Sequence, residues 1–126
     1  MSKELIICGI IIIAIIGLDI LIGNFVDDKM NQTIELLNDL RKDVEEQNYD
    51  VAREKVDEIV DYWYESEKFF SFYIEHDELE KVATELTSLN AHIELENDDS
   101  LEGIDRMSFI IRHIEEKDDL KLKNIF

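Results

Sequence analysis

From Leu5 to Leu18 the chain carries no charged or hydrogen-bonding side chain apart from the thiol of Cys8: Leu-Ile-Ile-Cys-Gly-Ile-Ile-Ile-Ile-Ala-Ile-Ile-Gly-Leu. After Asp19 the run resumes as Ile20, Leu21 and Ile22. As a helix, residues 5–22 rise about 27 Å at 1.5 Å per residue, close to the roughly 30 Å hydrocarbon core of a bilayer. Such a stretch has few ways to fold in water, because so continuous an apolar surface leaves no polar face. It is read as a transmembrane helix, with the lipid bilayer as its partner through residues 5–22.

Two other readings compete. A cleaved signal peptide has a shorter apolar region, a basic start and small residues before the cut. Here the start carries Lys3 offset by Glu4, and the nearest small residue after the run, Gly23, has Leu21 two positions before it. A lipoprotein would modify Cys8, but Leu5-Ile6-Ile7 provides no small residue ahead of it and almost no apolar segment. The anchor reading is therefore favoured. Asp19 lies three residues, about 4.5 Å of helix rise, from Ile22. At that depth a carboxylate reaches headgroups or water, so an interfacial Asp is favoured over an intramembrane proton site. Gly9 is followed four residues later by Ile13 and Gly17 by Leu21, so no Gly-x-x-x-Gly pairing motif is present. Lys3 on one side and Lys29, Arg41 and Lys42 on the other give no clear positive-inside asymmetry. The short N-terminal tail resembles an uncleaved signal anchor, which places the N-terminus in the cytoplasm and the rest outside the cell.

The division expected is an anchor over residues 1–23 and an acidic all-helical domain over 24–126. The chain holds 13 basic and 31 acidic residues; setting aside Lys3, Glu4 and Asp19 leaves 12 and 29, a net charge of −17 for the domain. That surface repels phosphates, which argues against nucleic-acid binding and against attachment to anionic lipid through a basic face. Cys8 is the one cysteine, so the domain has no disulfide, no cysteine-based metal site and no thiol nucleophile. With no proline and four glycines in the chain, long helices are favoured over a turn-rich β fold.

Apolar residues recur at helical spacing in four stretches. Met30, Thr33, Ile34, Leu37, Leu40 and Val44 make a stripe on a helix running to about Glu46, nearly continuous with the anchor. A turn at 47–50 precedes a second helix, N-capped by Asp50 and running to Tyr73 or Ile74, with Ala52, Val56, Ile59, Val60, Trp63, Phe70 and Tyr73 inside. Asp77 and Glu80 have the spacing of a capping box for a third helix, lined by Leu79, Val82, Leu86, Leu89 and Ile93. Ser100 is the expected N-cap of a fourth, with Leu101, Ile104, Met107, Ile111 and Ile114 inside. Gly103 weakens that helix by about 1 kcal/mol relative to alanine. The charged stretch 115–119 reads as a stop. Beyond it, Leu120, Leu122, Ile125 and Phe126, interleaved with Lys121 and Lys123, read as a tail docked on the bundle, with partner binding the alternative. The fold class is all-α: an N-terminal transmembrane helix followed by an antiparallel bundle of about four helices.

Few residues point to chemistry. His76, His92 and His113 have neither His-x-x-x-His nor His-Glu-x-x-His spacing, so no metal site is expected. The acidic clusters Asp57-Glu58-Asp61 and Glu94-Glu96-Asp98-Asp99 lack the EF-hand order and read as solvated surface. There is no Gly-x-Ser-x-Gly elbow and no phosphate-binding glycine loop. No catalytic residue, cofactor or enzymatic activity is expected.

The aromatic residues of the second helix stand out: Tyr62, Trp63, Tyr64, Phe69, Phe70, Phe72 and Tyr73. Trp63 and Phe70 share the inner stripe. Tyr62, Phe69 and Phe72 fall on another face, which is either a second buried face of a central helix or a partly exposed interaction patch.

An Ile-rich anchor, Asn-Tyr-Asp-Val-Ala-Arg-Glu-Lys-Val (48–56), Phe-Tyr-Ile-Glu-His-Asp-Glu-Leu (72–79) and the ending Leu-Lys-Leu-Lys-Asn-Ile-Phe (120–126) together resemble a family of small clostridial and related Firmicute proteins, catalogued as a domain of unknown function. The resemblance spans nearly the whole chain and implies a bacterial, membrane-anchored helical protein, with no catalytic residues to transfer. The expected function is a protein–protein interaction module on a single-pass anchor at the bacterial cell surface, with an unidentified protein partner. The alternative is a ligand- or cation-sensing bundle, with a groove between the second and third helices.

Overall fold

The structure, a computed structural model, describes residues 2–125, with side chains through residue 117. It contains four α-helices and no strand among these residues: α1 (Lys3–Glu45), α2 (Tyr49–Phe70), α3 (His76–Glu94) and α4 (Asp99–Ile125). The apolar run and the first stripe form one unbroken helix of 43 residues, about 64 Å long at 1.5 Å per residue. Nothing interrupts it because the Gly23-Asn24 pair costs only helix propensity, and the core of the bundle begins on that same turn. Side chains through Leu21 face outward; Gly23, Val26 and Met30 are buried.

Short turns make sequential helices antiparallel. α1 packs on α2 and α4, and α3 packs on α2 and α4, so the helices form a closed square with α1 diagonal to α3. The buried stripes follow the sequence pattern: Met30 to Val44 in α1, Ala52 to Phe70 in α2, Leu79 to Ile93 in α3, and Ile104, Met107, Ile111 and Ile114 in α4. Val60, Tyr73 and Leu101 are only half-buried, at the margins of the core. Three polar residues, Thr33, Ser66 and Ser100, are buried. Each is satisfied locally: the Thr33 hydroxyl donates to the Lys29 carbonyl at 2.9 Å, Ser66 to Tyr62 at 2.8 Å and Ser100 to Asn97 at 2.6 Å.

The helix ends differ from the sequence expectation. α1 and α3 each close with the same hydrogen-bond pair. The N–H of Asn48 donates to Asp43 and that of Gln47 to Val44; the N–H of Asn97 donates to His92 and that of Glu96 to Ile93. This is the Schellman closure, and it places Gln47 (φ 59°) and Glu96 (φ 54°) in the left-handed region where glycine is usual. Because the first closure ends at Asn48, α2 starts at Tyr49, and Asp50 sits inside the first turn rather than capping it; it pairs with Arg53 at 3.0 Å. α2 ends at Phe70, not at Tyr73 or Ile74, since Ile74 turns inward to be buried. That fixes Glu75 as the residue before α3, so Asp77 lies within the first turn and the box with Glu80 does not form. Its charge still favours the helix N-terminus. At α4 the side-chain cap is Asn97, whose Oδ1 accepts the Asp99 N–H at 3.1 Å, and not Ser100. The charged segment 115–119 does not stop the helix, which continues to Ile125. The docking of Leu120, Leu122, Ile125 and Phe126 lies outside the described residues.

Ion pairs tie the helices from outside: Arg41 to Asp105 (3.2 Å), Arg53 to Glu96 (2.8 Å), Arg106 to Glu85 (3.2 Å) and Lys117 to Glu78 (2.9 Å). The hydrogen bond to Glu96 raises the Arg53 guanidinium above its ordinary pKa. Most of these side chains are solvent-accessible, Glu78 being the exception, and the pairs contribute registration more than stability.

Candidate functional site

Gathering Phe69 and Phe72 requires the end of α2. Phe70 (buried) and Ile74 (buried) pin the chain on either side of the α2–α3 connection. Backbone bonds from the Tyr73 and Ile74 N–H groups to Phe70 tighten the turn between them. Phe72 is thereby turned outward and is 87% exposed. Phe69, on the last turn of α2, is half-exposed and meets Phe25 of α1 edge to face, with ring centroids 5.2 Å apart. Leu21, Ile22, Phe25, Phe69 and Phe72 line one almost wholly apolar groove of about 250 Å³.

Tyr62 does not line this groove. It sits two helical turns farther up α2, half-buried, and its hydroxyl donates to Gln32 Oε1 at 3.3 Å. Lys29 links the two places: its ammonium lies 4.9 Å from the Tyr62 ring centroid and 5.4 Å from that of Phe25. Trp63 and Phe70, by contrast, are wholly buried and packed on each other at 5.0 Å. The second aromatic face of α2 is thus partly exposed and shared with α1. Phe72 belongs to the connection after α2 rather than to the helix. Sequence reasoning missed the α1 half of the groove. The available signal was Phe25, one turn past the apolar run and in phase with Leu21 and Ile22.

A second surface lies on α4. Phe109 is 72% exposed, stacked on His113 at 6.2 Å, and lines a groove of about 360 Å³ with Ile110, Arg106, Glu102 and Asp105. A further groove between α3 and α4, of about 610 Å³, is lined by Asp77, Glu80, Lys81, Thr84, Glu85 and Ile110. The histidines stand apart: His76 opens α3, His92 is half-buried with Nδ1 3.5 Å from the Asn97 amide, and His113 is on α4. Among the described residues no three His, Cys, Asp or Glu side chains converge as metal ligands.

α1 is the one described helix long and apolar enough to cross a membrane. Comparison with curated proteins and with solved structures finds no match. A family model does match, covering residues 20–125, which takes in the whole bundle and the last turn of the apolar run. The chain belongs to the family described as a domain of unknown function, DUF4363.

Proposed function

We propose that this chain is a single-pass membrane protein that carries an acidic four-helix bundle at the bacterial cell surface and works by binding a protein partner. The observation that carries this reading is α1 itself. One helix is both the apolar span and a wall of the bundle core, so the domain is held upright at a fixed height rather than on a tether. A partner reaching the sides of such a bundle meets a surface of net charge −17 with Phe109 standing out of it. Those features favour a partner that presents basic groups around an apolar pocket.

Two experiments test this. Cys8 lies in the anchor, so a cysteine placed at the exposed Glu58 is the one thiol facing water. Glu58→Cys is expected to react with a membrane-impermeant maleimide in intact cells; reaction only after lysis would reverse the orientation. For the partner, a photo-crosslinking residue at Phe109 in the full chain is expected to give a discrete adduct in native membranes, absent when the crosslinker is at Glu58. No adduct, or the same adducts from both positions, would remove the interaction reading.

A further inference from the structure

The groove at the base of the bundle is walled on one side by the anchor. Leu21 and Ile22 are the last residues of the apolar run, and Phe25 stands one turn above them. Three residues of helix rise about 4.5 Å, while the headgroup layer on each side of a bilayer is roughly 5–7 Å deep. With the run seated in hydrocarbon, Phe25 and the Phe69 ring against it fall inside the interfacial layer, and Phe72 beside them does too. We infer that the α2–α3 connection is a second membrane contact: Phe69 and Phe72 insert into the bilayer interface beside the anchor and seat the bundle on the lipid. This rests on the anchor reading above.

Three observations favour lipid over another occupant. A protein could fill the groove only by displacing lipid from Leu21 and Ile22, which belong to the span itself. The projection of Phe72 is fixed by buried residues on both sides, Phe70 and Ile74, so the exposed ring is held out by the core rather than left loose. The groove is nearly devoid of polar lining, and the domain is strongly acidic, so the contact is apolar and not an attraction to anionic headgroups. Lys29, about 10 Å of helix rise past Ile22, reaches back so that its ammonium lies 5.4 Å from the Phe25 ring centroid.

The test uses the full chain in phosphatidylcholine vesicles whose acyl chains are brominated either near the headgroup or near the bilayer centre. Trp63 is wholly buried and remains as a common background. Phe72→Trp is expected to fluoresce at shorter wavelength than Phe109→Trp and to be quenched more by the shallow bromines than by the deep ones. High salt is expected to leave that quenching unchanged. Phe69→Trp gives a second probe of the same site, and Ile13→Trp, in the middle of the run, is expected to be quenched most by the deep bromines. If Ile13→Trp is quenched while Phe72→Trp and Phe69→Trp are not, the seat is overturned and the groove is left to a protein or a second copy of the chain. If Ile13→Trp is itself unquenched, the anchor reading fails, and the seat with it.

Discussion

Gly103 is the position where a single methyl group should stabilise this bundle. It lies in the second turn of α4, buried, with an ordinary helical φ, so glycine is not required by the backbone there. A Cβ built on it would meet Leu89 of α3, with Cδ1 at 3.4 Å and Cβ at 4.0 Å, and no backbone atom among its nearest neighbours. The nearer atom is the end of a side chain that can shift by a few tenths of an ångström. Replacing glycine by alanine inside a helix is worth about 1 kcal/mol, and burying one methyl adds up to roughly 0.8 kcal/mol, part of it spent in moving Leu89. Gly103→Ala is therefore expected to stabilise by about 1–1.5 kcal/mol, a rise in Tm of roughly 4–10 °C for a domain of this size. Trp63, buried at the centre, reports the transition by fluorescence in the full chain held in detergent micelles. Gly9→Ala and Gly17→Ala are internal controls: their added methyls meet nothing within 4 Å, and they lie in the apolar span. They should leave the Trp63 transition where it is. A lower midpoint for Gly103→Ala would refute the reasoning and mean that the close approach of α3 and α4 demands a bare backbone at this point.

Gln47 occupies a left-handed position in the α1 closure, which costs a residue with a Cβ about 1 kcal/mol, so Gln47→Gly should raise stability by roughly that amount in chemical denaturation. Trp63 has a buried Nε1 with no hydrogen-bond partner. Trp63→Phe should accordingly cost far less than Trp63→Ala, for which about 3–5 kcal/mol is expected, both read from helical circular dichroism. Lys29→Gln removes a cation held over two rings and should destabilise by about 0.5–1 kcal/mol in the same measurement; equal stability would show that the Phe25 and Tyr62 contacts carry nothing. Inserting four glutamines, which are too polar to enter hydrocarbon, between Ile22 and Gly23 lengthens α1 above the apolar run by roughly 6 Å, and in a Phe72→Trp chain it should sharply reduce quenching by shallow-brominated lipid without moving the Trp63 transition.

The interior of the bundle was legible residue by residue. Met30 through Val44, Leu79 through Ile93 and Ile104 through Ile114 are buried as their spacing requires, because a 3.6-residue period leaves an amphipathic helix one way to face a core. The turns were less legible. Asp50, Asp77 and Ser100 are all good N-cap types, yet none caps its helix, because the preceding closure or a buried neighbour such as Ile74 sets where the next helix begins. Asn97 and Glu75 took those places for reasons that lie several residues away. The charged run 115–119 did not end α4, since charged residues are good helix formers and lack the proline or glycine that stops one.

For the candidate site, the sequence put Tyr62, Phe69 and Phe72 on a face other than the inner stripe, leaving open whether that face was buried or exposed, and it placed the apolar run at residues 5–22. It did not show that these two features meet. Composition and periodicity by themselves determined an apolar span, an acidic helical domain and the inner stripe of each helix, because those depend on local spacing and on the cost of leaving apolar surface in water. Only the tertiary structure decided which α2 aromatics touch α1. Antiparallel packing returns the end of α2 to the level where α1 leaves the apolar run, bringing Phe69 and Phe72 beside Phe25 and Leu21 across more than forty residues of chain. Tyr62, on the same face but two turns higher, is carried clear of the groove by the rise of the helix, and it bonds to Gln32 instead.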